Sequence, residues 1–230
     1  DVDRLALICE DGKPFGEEYT LVSVADYLLG RAYNEALESG KSLDEVCAPY
    51  RMATASNLSS SRALRDVTEK FGGEYFAAAV GEVNVTTKMK ECGALIGGEG
   101  NGGVIYPALH YGRDAMVGVA LFLTNLAYRQ MKVSELLKTY PQYVITKNRI
   151  DLSDKALIDK ILSEVQKIYA NENVNTIDGV KISFEDRKQW VHLRRSNTEP
   201  IIRIYAEAAT KEEADALANE VIGIAKKIIG

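Results

Sequence analysis

The order of helix-like and strand-like runs changes once along the chain, near Tyr140-Pro141-Gln142, and this change fixes the architecture more tightly than any single motif. Before it, short apolar runs alternate with segments of helical spacing. Leu5 to Cys9 reads as a strand closed by the turn Glu10-Asp11-Gly12-Lys13. Leu21, Val24, Ala25, Leu28, Ala32 and Ala36 keep helical spacing over residues 21–37, and Gly40 is the stop. Strands are expected at Arg51 to Ala55, Glu74 to Ala79 and Ala94 to Ile96. Between them, Ser59, Ser60 and Ser61 offer N-caps to a helix reaching Lys70, and a second short helix runs from Asn84 to Glu91. A helix from Ala115 to Tyr128 and a short one around Ser134 to Leu137 close this part. Such alternation implies an α/β domain with a mixed, largely parallel sheet.

The remainder is ordered differently. A strand near Val144 to Ile150 precedes a helix from Asp154 to Ala170, with Leu157, Ile161, Val165 and Ile168 on one face. Strands near Val180 to Phe184, Trp190 to Arg194 and Ile201 to Ala206 then follow one another, before a last helix from Lys211 to Lys227. Adjacent strands between two helices imply an α+β domain with an antiparallel sheet.

Composition narrows the function. The chain has 230 residues, 46% of them apolar, and a net charge of −5. That is enough apolar material for two packed cores, and the mild acidity argues against a nucleic-acid binder, which needs a dominant basic face. No apolar run reaches the roughly 20 residues of a membrane span. Cys9, Cys47 and Cys92 are odd in number and far apart, so neither a disulfide framework nor a cysteine-rich zinc site is expected; a reducing compartment, the cytoplasm, fits them. The opening Asp1-Val2-Asp3-Arg4 has no signal-peptide pattern and no initiator Met, and reads as a start within a longer protein.

Three segments could carry chemistry. Leu193 to Arg203 gathers Arg194, Arg195, Ser196, Asn197, Thr198 and Arg203 around a loop between two strands. Guanidinium forks, hydroxyls and turn N–H groups are the donors a phosphate takes; the alternative is a solvated basic hairpin whose Ser, Asn and Thr serve the turn. Gly97 to Gly103 contains a formal GxGxxG, but Val104-Ile105-Tyr106-Pro107 after it is no helix start, so a dinucleotide reading lacks its anion-binding helix terminus. A mobile loop presenting Glu99 and Asn101 to sugar hydroxyls fits better. Asp1 and Asp3 could offer oxygen ligands to a hard cation such as Mg²⁺, or could form an exposed acidic terminus.

Taken together, these residues resemble the α-D-phosphohexomutases, the superfamily of phosphoglucomutase, phosphomannomutase and phosphoglucosamine mutase. Asp1-Val2-Asp3-Arg4 resembles the end of the family's metal loop, Gly98-Glu99-Gly100-Asn101-Gly102 its sugar loop, and Arg194 to Pro200 its phosphate loop, in the family's order. The resemblance implies a division into 1–13 as the end of a second domain, 14–142 as the third and 143–230 as the fourth. It implies interconversion of hexose 1- and 6-phosphates through a phosphoserine and a bisphosphate intermediate of the glucose 1,6-bisphosphate type, assisted by Mg²⁺. Asp1 and Asp3 would be metal ligands and Arg4 would stabilise the phosphoserine. Glu99 and Asn101 would bind the sugar; Arg194, Ser196, Asn197, Thr198 and Arg203 would hold the phosphate that is not being transferred.

The departures matter equally. The family's catalytic serine loop is not found; Thr54-Ala55-Ser56-Asn57 echoes it without His or Pro and is assigned to structure. Gly103 and Glu82 stand where some members carry histidines, and His110 and His192 align with neither. The expectation is therefore the C-terminal half of a mutase, inactive by itself, whose partners are a phosphosugar and the missing N-terminal domains. The rival is a non-catalytic phosphosugar-binding or regulatory module.

Overall fold

The computed structural model describes residues 2–152, 155–196 and 199–229. The chain divides into two compact units, Asp1–Gln142 and Tyr143–Gly230.

In the first unit, helices α1 (Glu17–Ser39) and α2 (Leu43–Cys47) precede a run of β1 (Arg51–Asn57), α3 (Ala63–Lys70), β2 (Glu74–Ala78), α4 (Glu82–Cys92), β3 (Ala94–Glu99) and β4 (Gly103–Ile105). Helices α5 (Ala115–Arg129) and α6 (Val133–Lys138) close it. The sheet order is β2-β1-β3-β4. β1 pairs in parallel with both β2 and β3, while β4 returns antiparallel to β3. The expected mixed, largely parallel sheet is therefore observed.

Residue alternation along β1 distributes the helices. Ala53 and Ala55 face Val85, Met89 and Cys92 of α4 in one apolar cluster. Thr54 points to the other face, where its hydroxyl meets that of Thr68 on α3 at 2.7 Å. The chain leaves β1 for β2 on one side and then recrosses to β3 on the other. The sheet's order thus reverses between β1 and β3, and in open α/β sheets ligands bind beyond the strands' carboxyl ends at such a point. Asn57 and Glu99 end those two strands.

Two local expectations change. Leu5 to Cys9 does not join the sheet. It makes a single antiparallel bridge, Ile8 to Pro14, and its N–H groups bond Gly102 and Lys13 instead. The apolar run looks strand-like because alternate residues face inward, but the segment folds back on residues 13–15. The first helix also begins four residues earlier than its apolar spacing indicates, with Glu17 and Glu18 in its first turn, where the dipole favours acidic side chains. Gly40 ends it in the left-handed conformation at φ 69°, as expected of a C-cap glycine.

In the second unit, β5 (Val144–Asp151), α7 (Lys155–Ile168), β6 (Asn173–Asn175), β7 (Val180–Phe184), β8 (Gln189–Arg195), β9 (Ile201–Ala208) and α8 (Lys211–Ile229) build an antiparallel sheet of order β5-β9-β8-β7-β6. Ile150, Ile182, Val191, Leu193, Ile202, Ile204 and Ala206 form its core with Ile158, Ile161 and Val165 of α7 and Leu217 and Val221 of α8. Both helices therefore cover one face. The opposite face carries the other set of alternating residues, including Trp190, His192, Arg194, Arg203 and Tyr205.

Candidate functional site

The glycine-rich segment is a paired hairpin rather than a mobile loop. Gly97, Gly98 and Glu99 end β3 and pair with Ile105, Val104 and Gly103 of β4. The glycines permit close approach. A Cβ on Gly98 would lie 2.0 Å from the Gly103 carbonyl oxygen, and one on Gly100 would lie 1.9 Å from the Glu18 carboxylate. No helix begins at Gly103, so the hairpin offers no helix terminus to a pyrophosphate.

Glu99 is buried, at 5% exposure, and both of its oxygens are engaged. Asn57 Nδ2 donates to Oε1 and Arg113 Nη1 to Oε2, each at 2.9 Å. Asn57 is held in turn, its Oδ1 accepting from Ser59 N–H at 2.9 Å and the Ser60 hydroxyl at 3.2 Å. Arg113 also meets Glu82 through Nε at 3.1 Å and through its backbone N–H at 3.0 Å, and Asp3 through Nη2 at 2.6 Å. One guanidinium thus gathers three carboxylates from the N-terminal segment, the start of α4 and the end of β3. Arg113 immediately precedes Asp114, the N-cap of α5, which accepts from Met116 and Val117 N–H. That cap, led by the Val117 bond, holds the Asp114 carboxyl below its ordinary range and fixes where Arg113 leaves the backbone.

Asn101 is half-buried and its Oδ1 accepts from Gly103 N–H at 3.2 Å, bracing the hairpin turn. The segment before Leu5 lies along this turn: Leu5 N–H donates to Gly102 O at 2.9 Å, and Ala115 N–H to Val2 O at 3.3 Å. Arg4 is exposed. Asp1 lies outside the described residues.

A Mg²⁺ ion needs oxygen ligands, and it is usually held by one or two carboxylates together with substrate phosphates and water. Asp3 Oδ1 is buried without a hydrogen-bond partner among the described residues. That oxygen fits the requirement as one ligand. Among the described residues, no group of three or more His, Cys, Asp or Glu side chains is arranged to hold a metal ion.

In the second unit, the loop after β8 begins with Ser196, 5% exposed, whose N–H donates to Ile201 O at 3.0 Å. Asn197 and Thr198 lie outside the described residues. Behind the loop, Arg194 and Arg203 are directly opposite on adjacent strands. Their Nε atoms are buried and have no hydrogen-bond partner among the described residues. Directly opposed like charges destabilise a sheet, and an unpaired buried donor is costly. An oxyanion would relieve both.

His192, between Arg194 and Trp190 on the same face, is 1% exposed. Burial above all, with Lys181 and Arg194 adding, lowers its pKa to about 4. The neutral ring donates from Nε2 to the Asp178 carbonyl at 2.6 Å, which is a packing role. His110 Nε2 lies 3.0 Å from Asp114 Oδ2, at the base of α5.

Asn57, Glu82 and Arg113 belong to the first centre; the residues alone assign a site role to neither Asn57 nor Arg113, and mark Glu82 only as standing where some family members carry a histidine. Asn57 stands in the segment read as structural. Its signal is a strand-terminal amide followed by three serines. That of Arg113 is a basic residue directly before an Asp N-cap, close after a glycine-rich turn.

Residues 20–143 match the family described as phosphoglucomutase/phosphomannomutase, alpha/beta/alpha domain III, and residues 149–224 match its C-terminal domain. A probable phosphoglucosamine mutase of Methanopyrus kandleri is 30% identical over 100% of this chain and 47% of its own length. A phosphoglucomutase/phosphomannomutase of Thermococcus kodakarensis is 33% identical over 93% of this chain and 43% of its own. Among solved structures, a phosphoglucomutase/phosphomannomutase family protein of Burkholderia thailandensis has a TM-score of 0.76 at 24% identity, covering 99% of this chain and 45% of that one. The N-acetylphosphoglucosamine mutase of Aspergillus fumigatus, solved with GlcNAc-6P and magnesium, has a TM-score of 0.67 at 16% identity over 97% of this chain and 50% of that one. The chain belongs to the phosphoglucomutase/phosphomannomutase family and carries its domain III and C-terminal domain. It spans about half the length of the curated relatives it matches.

Among the described residues, no helix is long and apolar enough to cross a membrane.

Proposed function

We propose that this chain is the sugar- and phosphate-binding half of a phosphohexomutase. The whole protein would interconvert the 1- and 6-phosphates of glucose, mannose or glucosamine through a phosphoserine and a bisphosphate of the glucose 1,6-bisphosphate type. Residues 1–13 would end the preceding domain, 14–142 would bind the sugar and 143–230 the phosphate. The observation that carries this reading is the opposed pair Arg194 and Arg203, whose buried Nε donors lack partners among the described residues at the base of the Ser196 loop.

In this reading, Arg194, Ser196, Asn197, Thr198 and Arg203 hold the phosphate that is not being transferred. Glu99 and Asn101 take the sugar hydroxyls; each Glu99 oxygen retains a lone pair beyond the bond it already accepts. Arg4 steadies the phosphoserine of the missing domains. Asp1 and Asp3 contribute oxygens to Mg²⁺, which when bound supplies charge neutralisation for phosphoryl transfer.

Calorimetry of the chain with glucosamine 1-phosphate, glucosamine and NAD tests the reading. Saturable binding of the phosphosugar alone, lost in Arg194→Ala, is expected. Equal binding of the unphosphorylated sugar, or an Arg194→Ala protein that binds unchanged, would overturn it. A coupled assay for hexose 6-phosphate should give no turnover from the chain by itself. Clear turnover would contradict the half-enzyme reading.

A further inference from the structure

The helix-free face of the second sheet carries more positive charge than the phosphate loop alone uses. Arg149 on β5 is directly opposite Arg203 on β9, which is directly opposite Arg194 on β8. Three arginines therefore form one row across three adjacent strands. Lys147, two residues before Arg149 and on the same face, is opposite Tyr205, with its ammonium 5.9 Å from that ring. Beside the paired strands β5 and β9 lies a cavity of about 360 Å³, lined by Lys147, Asn148, Arg149, Glu199, Arg203 and Tyr205, among others.

The charges facing this cavity do not cancel. Among the described residues, three cations, Lys147, Arg149 and Arg203, meet one lining carboxylate, Glu199. Arg149 also contacts Asp151 at 3.7 Å, but both side chains are largely exposed, so that pair is weak. Glu207, on the same face, accepts from Trp190 Nε1 at 2.6 Å and is turned to that ring. Arg203 Nε is buried without a hydrogen-bond partner among the described residues. A row of opposed cations beside an open cavity is the arrangement a doubly charged oxyanion relieves, and arginine forks suit its geometry.

We infer that Lys147, Arg149 and Arg203 form a second oxyanion position on the helix-free face of this sheet, beside the Ser196 loop and sharing Arg203 with it. Its ligand class is the phosphate dianion, free or as a second phosphate of a small molecule. Tyr205 forms one wall, and Glu199 selects against ligands with more negative charge than the cations balance. The assignment does not depend on the sugar-phosphate role of Arg194.

The test is a titration of the whole chain with inorganic phosphate at ionic strength held constant with chloride. Arginine Nε–Hε signals and the Ser196 and Tyr205 amides are followed by NMR. Saturable shifts at Arg149 and Arg203 are expected. They should persist in Arg194→Ala. In the double variant Lys147→Ala/Arg149→Ala, the phosphate midpoint read at the Tyr205 amide should weaken at least tenfold while the Ser196 amide responds as before. These are surface positions of β5, so unchanged dispersion of the other amides checks that the variant is folded. A non-saturating drift of Arg149, or its silence in Arg194→Ala, would overturn the second position. Saturation at Arg149 with a silent Ser196 amide would leave it standing and would sink the phosphate-loop reading instead.

Discussion

At the carboxyl ends of β1 and β3, three carboxylates close on one guanidinium; on the helix-free face of the second sheet, three guanidinium groups line up, and the buried Nε donors of Arg194 and Arg203 find no hydrogen-bond partner among the described residues. The first centre is closed before any ligand arrives except at Asp3 Oδ1, which has no hydrogen-bond partner among the described residues. Arg113 fixes Glu99, Glu82 and Asp3, and Asn57 fixes the second oxygen of Glu99. Such a network sets geometry in advance, so little ordering remains to be done on binding. The second centre is unfinished, and its unsatisfied donors are available to an anion. Paired charge positions; unpaired charge binds.

The sharpest way to break this contrast is to remove Arg113. Its side chain is 15% exposed and that of Glu99 is 7% exposed. Taking one partner from a buried ion pair typically costs about 3–5 kcal/mol. Arg113→Met should therefore destabilise the first unit by about that amount in urea unfolding, with little change in the second. Arg113→Lys should recover only part, since one ammonium cannot reproduce a fork reaching three carboxylates. A loss below about 1 kcal/mol would mean that solvent already screens the cluster, as at an exposed pair.

The next effect belongs to the cationic face. The folded pKa of His192 is about 4 against an ordinary value of 6.5. A folded value below the unfolded one means that stability is fully present above pH 6.5 and is lost as pH falls through 4. The shift corresponds to roughly 3 kcal/mol of pH-dependent stability. Urea midpoints of the second unit should fall between pH 7 and pH 4, and the fall should shrink in His192→Gln. An unchanged slope in that variant would assign the acid sensitivity to other groups.

Binding separates the two centres further. Arg194→Ala should weaken phosphosugar affinity by about 1.5–3 kcal/mol, the scale of a hydrogen bond to a charged group. Calorimetry reads this directly. An effect of the same size on unphosphorylated glucosamine would show that Arg194 supports the fold of the site rather than the phosphate.

How much of this was legible in the residues follows the same division. The phosphate loop is contiguous, so Arg194 and Ser196 stand out within a single stretch, and the antiparallel sheet follows from three strand-like runs in succession. The carboxylate centre is assembled from residues 3, 57, 82, 99 and 113, which no local pattern joins. Asn57 ends a strand that reads as structural, and Arg113 is one arginine among many until Asp114 is seen to cap α5 behind it. Glycine spacing shows where backbones come close, but not that Gly97 to Gly103 closes into a β-hairpin, because pairing with β4 is a tertiary choice over three residues. Leu5 to Cys9 fails for a related reason: its alternation is real, but its hydrogen bonds go to Lys13 and Gly102 rather than to a sheet strand. Arg149 is invisible as a site residue in sequence, since only strand register brings it opposite Arg203.

The smallest expected effect tests the contrast most finely, because its sign should reverse with ligand. Arg203 sits between Arg194 and Arg149 and faces like charge on both sides. Opposed pairs on a sheet are worth up to about 1 kcal/mol each. In phosphate-free buffer, Arg203→Gln should leave the second unit as stable as the parent or more stable by up to about 1 kcal/mol. In phosphate well above its dissociation constant, the parent gains stability by mass action and the variant gains less, so the order inverts. Urea midpoints of both proteins, with and without phosphate, decide the matter. If Arg203→Gln is the less stable protein in both buffers, the packing of the Arg203 stem against Tyr205 and its neighbours outweighs the charge repulsion. The row would then be part of the scaffold, as Arg113 is, and the distinction between the two centres would fall.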